Sequence, residues 1–153
     1  EIIGALQADT LSAEEEREYV RFLVHLVGDL HQPLHVGTGE DRGGNEATVI
    51  WFGEPSNLHR VWDSGMIDRK QLNYTELARF STETVDDDRH DDWTDASVED
   101  WAYESMEVRE QVYDLPPDRE LGYEYSYRNF ETLKKRLVQS GVRLAHVLND
   151  IYG

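Results

Sequence analysis

Two His-x-x-x-Asp pairs, His25/Asp29 and His59/Asp63, with His35 between them, constrain this chain more than any other feature. Residues four apart on an α-helix emerge on one face, one turn apart. Each pair therefore lets a rigid helix present an imidazole nitrogen and a carboxylate oxygen to one point. A single pair reads most simply as a helical hydrogen bond or ion pair. Two pairs plus His35, in a chain with only six histidines, read as five N/O donors of the borderline kind that zinc accepts. His25 and Asp29 sit beside Phe22, Leu26 and Val27, so their stripe borders an apolar face. A carboxylate buried there without a partner would cost on the order of several kcal/mol, and coordination removes that cost. The fold must bring two helical segments together.

Charge narrows the partners. Fifteen Lys and Arg against thirty-two Asp and Glu leave −17. A chain so acidic repels nucleic acid and anionic membrane at long range, which excludes binding through a broad basic face. Any phosphate substrate needs a local source of positive charge, and bound metal ions are the strongest. There is no cysteine, so disulfides, thiolate catalysis and Cys-ligated zinc are excluded. The longest apolar run is Val49 to Phe52, far short of the roughly 20 residues of a membrane helix. No signal peptide is visible at the start, and the chain opens at Glu1 rather than Met.

The pattern is mainly helical. Ser12 and Glu15 form a capping box ahead of Val20, Leu23, Val24, Val27 and Leu30, and Pro33 ends that helix by about Gln32. Glycines from Val36 to Gly44 mark a loop, and Asn45 to Phe52 has strand composition. Pro55-Ser56-Asn57 reads as the start of a helix carrying His59, Trp62 and Asp63. A short helix is expected over Tyr74 to Phe80, then an exposed acidic connection from Glu83 to Asp100. Ser97 and Asp100 cap a helix whose apolar positions run from Val98 to Val112, closed by Pro116-Pro117. A last helix runs from about Tyr127 to Asp150. The expectation is an all-α domain with one small strand or hairpin element near residues 45–52.

At this point the sequence resembles a known family. The string from His25 through Asp29, Gln32-Pro33 and His35, then Gly43-Gly44-Asn45, then Asn57-Leu58-His59 and Trp62-Asp63, is similar to the zinc-dependent single-strand-specific nucleases. A weaker similarity continues through residues 101–105 and 141–149. The resemblance implies three zinc ions. His35, His59 and Asp63 look like the full protein ligand set of the isolated zinc; His25 and Asp29 look like two ligands of a zinc pair, with Asp29 bridging it. Asn45 resembles a side chain that contacts substrate, and the adjacent glycines would let backbone approach a ligand.

The implied chemistry is hydrolysis of single-stranded DNA and RNA to 5′-phosphorylated products, with 3′-nucleotidase activity. The zinc pair bridged by Asp29 would activate a water for in-line attack, and the third zinc would stabilise the departing 3′ oxygen. Family members work outside the cytoplasm, so secretion or a periplasmic location is implied. Members also begin with a Trp that binds zinc and supply two further His and an Asp ahead of this segment. Only 24 residues precede His25, and none is a histidine. The expectation is a C-terminal portion of one larger domain whose remaining ligands lie on an absent N-terminal segment. Two alternatives accompany it: a zinc phospholipase C of the same superfamily, and a catalytically incomplete metal-binding fragment.

Other residues carry weaker signals. Pro33 breaks the register between His31 and His35, so His31 reads as packed or as a partner of a ligand. Asp41, His90 in its acidic run, and His146 read as solvated. Trp62, between His59 and Asp63, reads as the anchor of that helix.

Overall fold

The computed structural model describes residues 1–37, 39–83 and 87–153, and of residues 87–89 the backbone alone. Helices α1 (Ile2–Gln7) and α2 (Ala13–His31) lead into a hairpin of β1 (Thr48–Trp51) and β2 (Glu54–Asn57). Next come α3 (Leu58–Arg60), a π-helical turn (Val61–Gly65) and α4 (Met66–Asp68), followed by α5 (Tyr74–Thr82) and α6 (Asp87–Thr94). The chain closes with α7 (Val98–Glu107), α8 (Arg109–Val112), β3 (Glu120–Leu121) and α9 (Tyr123–Tyr152). The mainly helical architecture with one small sheet is the one the sequence pattern implies.

The capping boxes are as the sequence dictates. Ser12 Oγ accepts from Glu15 N while the Glu15 carboxylate accepts from Ser12 N at 2.9 Å. Ser97 and Asp100 repeat the arrangement at the start of α7. Each such cap contributes about 1 kcal/mol.

Four expectations need correction. Residues 55–57 belong to an edge strand, β2, rather than to a helix start. Phe52 and Gly53 both have positive φ (50° and 86°), which makes the two-residue turn that folds β2 back onto β1. Pro55 is tolerated because an edge strand needs no amide on its outer side; helix begins only at Leu58, capped by Asn57, whose Oδ1 accepts from Arg60 N at 2.8 Å. The helix expected from Val98 to Val112 is split at Val108 into α7 and α8. The acidic stretch contains α6, and Arg143 Nε donates to Trp93 O near its end at 2.9 Å; residues 84–86 of that stretch lie outside the described residues. Finally, α9 begins four residues earlier than the pattern suggested, and α1 was not anticipated.

Strand β1 is central, antiparallel to β2 with Val49 opposite Ser56, and parallel to β3 with Trp51 opposite Leu121. One core gathers Leu58, Val61, Met66 and Val112, all fully buried, against Phe130 and Leu133 of α9. Each such aliphatic side chain contributes about 1.5–3 kcal/mol. Trp62 Nε1 donates to Tyr125 Oη at 2.9 Å, and Tyr125 Oη donates to Val112 O at 2.6 Å. Trp62 is thus the anchor of the segment bearing His59 and Asp63. A second core joins Leu23, Val27, Trp101 and Val147.

Candidate metal centre

Pro33 forbids the helical conformation for Gln32, so α2 stops at His31 and the chain turns back. The turn is held by His35 N donating to Gln32 O at 3.0 Å. It carries His35 over Asp29 on one side and towards the π-helical turn on the other. That turn bears Asp63, and α3 bears His59 one turn before it. Single π turns recur at functional sites because they re-aim side chains within a helix.

The result is a chain of contacts from His25 to His59. His25 Nε2 lies 3.3 Å from Asp29 Oδ2, and Asp29 Oδ1 lies 2.9 Å from His35 Nδ1. His35 Nε2 lies 3.5 Å from Asp63 Oδ1, and His59 Nε2 lies 2.9 Å from Asp63 Oδ2. The rings of His35 and His59 stack with centroids 5.0 Å apart. Donor atoms of His35, His59 and Asp63 all lie within 4.8 Å of one another, the one such group of three among the described residues.

Protons can be assigned from the partners. His59 Nδ1–H donates to Gly43 O at 2.8 Å, and His35 Nδ1–H donates to the Asp29 carboxylate. In the neutral imidazoles both Nε2 atoms would turn a lone pair toward Asp63, an arrangement that a cation between them would satisfy. The set is two imidazoles and one carboxylate, which suits zinc and leaves a fourth position open. His25 and Asp29 supply two donors only, and His25 is the more exposed, with 68% of its side chain accessible.

The glycines at 43 and 44 make room for His59 and Leu34. Both have positive φ (63° and 80°). A Cβ at Gly43 would collide with Leu34 O, and one at Gly44 would lie 3.2 Å from His59 N. Gly43→Ala is therefore expected to lose about 1–2 kcal/mol from backbone strain alone. It should also move the carbonyl that fixes His59, so thermal melting and zinc titration would both register the change; wild-type values in both would contradict it.

The end of α2 is fixed from behind by a cluster that sequence reasoning missed. Arg143, fully buried, donates through both terminal nitrogens to Glu104, each at 2.7 Å, and to His31 Nε2 at 2.9 Å. Arg136 pairs with the same carboxylate and donates to Trp101 O and Ser105 Oγ, both at 2.7 Å. Ser105 Oγ donates to Leu30 O at 2.6 Å, satisfying a carbonyl at the helix terminus. Burial is the largest influence on Glu104 and opposes its ionisation, yet the two guanidinium groups hold its carboxyl down at about 2. Burial, reinforced by both arginines, pushes His31 down to about 4. His31 is thus a neutral packed residue, with Nδ1–H donating to Val27 O at 2.7 Å. The only sequence signal was two arginines seven apart on one helix.

The remaining candidates resolve simply. Asp41 braces the glycine turn, accepting from Gly44 N at 2.9 Å and Tyr113 Oη at 2.8 Å. Asn45 is exposed in that turn, and its amide donates to Arg42 O at 2.9 Å. His90 is exposed and His146 half-buried, and they lie beside Asp91 and Asp150.

Two imidazoles and a carboxylate from separate elements of a mainly helical chain form a group that could hold a metal ion. The chain belongs to the S1/P1 nuclease family, whose profile matches residues 1–153. It is 32% identical to Endonuclease 4 of Arabidopsis thaliana over 95% of its own length and 54% of that protein's. Nuclease S1 of Aspergillus oryzae is 28% identical over 92% of the chain and 56% of the relative. Nuclease P1 of Penicillium citrinum is 46% identical over 57 residues, 37% of the chain and 21% of the relative. Against the Arabidopsis endonucleases, the chain spans about half the length of the relatives it matches.

Proposed function

We propose that these 153 residues are part of a zinc-dependent endonuclease that hydrolyses single-stranded DNA and RNA to 5′-phosphorylated products and also removes 3′-phosphates from nucleotides. The observation that carries this reading is the meeting of His35, His59 and Asp63 from two segments. In this reading the three hold one zinc, while His25 and Asp29 contribute to a zinc pair that Asp29 bridges. Zinc bound in these places supplies a Lewis acid for the phosphoryl and departing oxygens and acidifies the attacking water. Asp29 aligns the two centres, since its oxygens face His25 on one side and His35 on the other. Asn45, on the exposed turn that cradles His59, contacts substrate. Local cations also explain how a chain of charge −17 acts on a polyanion.

The remaining ligands for the His25–Asp29 pair come, in this reading, from an N-terminal part of the longer polypeptide, within one shared domain. Two facts support that. The chain covers about half the length of the Arabidopsis endonucleases it matches. An apolar groove of about 800 Å³ beside His25 leaves Phe22 57% and Leu26 43% exposed. By themselves the 153 residues are then a one-zinc piece. No helix among the described residues is long and apolar enough to cross a membrane. On the family membership alone, we place the protein outside the cytoplasm.

Asp29→Asn in the full-length protein tests the proposal. The amide keeps an oxygen for His35 Nδ1–H but loses the bridging charge. Hydrolysis of single-stranded DNA should fall by about a thousandfold or more, on the order of 4 kcal/mol, with the melting temperature unchanged. Wild-type turnover in that variant would refute the role of Asp29.

A further inference from the structure

We infer that Gln32 is a positioning residue for the metal centre, acting through Asp63; the inference rests on the proposed zinc site. Gln32 stands at the point where Pro33 halts α2, with φ −92° and ψ 115°, so its side chain leaves the helix axis. There its two polar ends are both occupied. Oε1 accepts from Leu34 N at 2.6 Å, and Nε2 donates to Asp63 Oδ1 at 2.7 Å.

The first bond determines the second. A backbone N–H can only donate, so the group facing Leu34 N must be the amide oxygen, and the NH2 is left to face Asp63. Two anchored ends leave the amide little freedom to rotate. Asp63 in turn is held by one oxygen. Oδ1 takes the amide hydrogen, while Oδ2 stays beside His59 Nε2 at 2.9 Å. The carboxylate therefore meets a cation in a fixed orientation, with one oxygen committed to Gln32.

The same residue also steadies a second ligand, because its backbone carbonyl accepts from His35 N at 3.0 Å. Two of the three donors thus depend on where Gln32 lies. The bond to Asp63 borders a small cavity of about 170 Å³ whose apolar walls include Trp62, Leu133 and Leu137. The bond itself is exposed, and the charge on the carboxylate is what strengthens it. Residues that orient ligands in this way alter metal affinity by about 10–100-fold when removed.

Gln32→Met tests the inference, because methionine keeps the length of the side chain without donor or acceptor. Zinc would be titrated into the 153-residue chain in competition with a chromophoric chelator, with His35→Ala as reference. The expected result is affinity about 10–100-fold below wild type for Gln32→Met, with the metal-free chain still folded, and no measurable binding for His35→Ala. Affinity within twofold of wild type in Gln32→Met would overturn the positioning role while the zinc site stands. Zinc binding untouched by His35→Ala would instead overturn the zinc site and this inference with it. If Gln32→Met fails to fold, the side-chain amide of Gln32 in ¹⁵N-labelled wild type decides. Its resonances should shift on zinc addition; an amide indifferent to zinc would refute the role.

Discussion

Asp63→Ala is expected to weaken zinc binding to the chain by about a thousandfold, on the order of 4 kcal/mol. Asp63 is the one residue of the centre that touches both neighbouring imidazoles, and Gln32 besides. Its loss removes the anionic donor and leaves two lone pairs facing empty space. His25→Ala makes the comparison, since His25 reaches only Asp29 and lies 68% exposed. Zinc affinity of the 153-residue chain should change by less than about twofold in that variant. Equal losses in the two variants would mean that the ion sits nearer Asp29 than Asp63.

The second large effect concerns stability. Arg143→Met should lower it by about 3–5 kcal/mol, the usual result of breaking a buried charge pair. The guanidinium is wholly enclosed, and its removal strands Trp93 O, His31 Nε2 and much of the Glu104 carboxylate. For a chain of this length that corresponds to a fall in melting temperature of roughly 10 °C. Acid should weaken the same cluster. Glu104 titrates at about 2 in the fold against 4.5 ordinarily, so its contribution is complete above pH 4.5 and disappears as pH falls towards 2. His31 acts in the same direction, because the unfolded chain binds its proton near 6.5 and the folded one only near 4. Chemical denaturation between pH 7 and pH 3 should show stability falling steadily, and less steeply in Arg143→Met; a flat profile would contradict the account.

What the sequence reveals is local. Ser12 with Glu15, Ser97 with Asp100, and Pro33 after α2 each act within a few residues, and each is visible as a short string. The His-x-x-x-Asp pairs are visible for the same reason, since one helical turn fixes their spacing. What it conceals depends on partners far along the chain. Glu104 meets Arg143 across 39 residues, and His31 meets it across 112. Gly43 O reaches His59 across 16, so the room that the glycines make for Leu34 and His59 is not visible in the sequence. Strand β2 was hidden by Pro55, which suggests a helix start but suits an edge strand equally. Helix α6 was hidden by its acidity, as its lack of an apolar face gives no periodic signal.

Zinc K-edge X-ray absorption on the chain loaded with one equivalent of metal addresses the convergence of His35, His59 and Asp63 most directly. Two imidazole nitrogens and one carboxylate oxygen are expected at about 2.0–2.2 Å, with that imidazole signature lost altogether in His35→Ala, which no longer holds the ion. A shell of water oxygens without imidazole scattering in the wild-type chain, or a spectrum unchanged in that variant, would contradict the convergence.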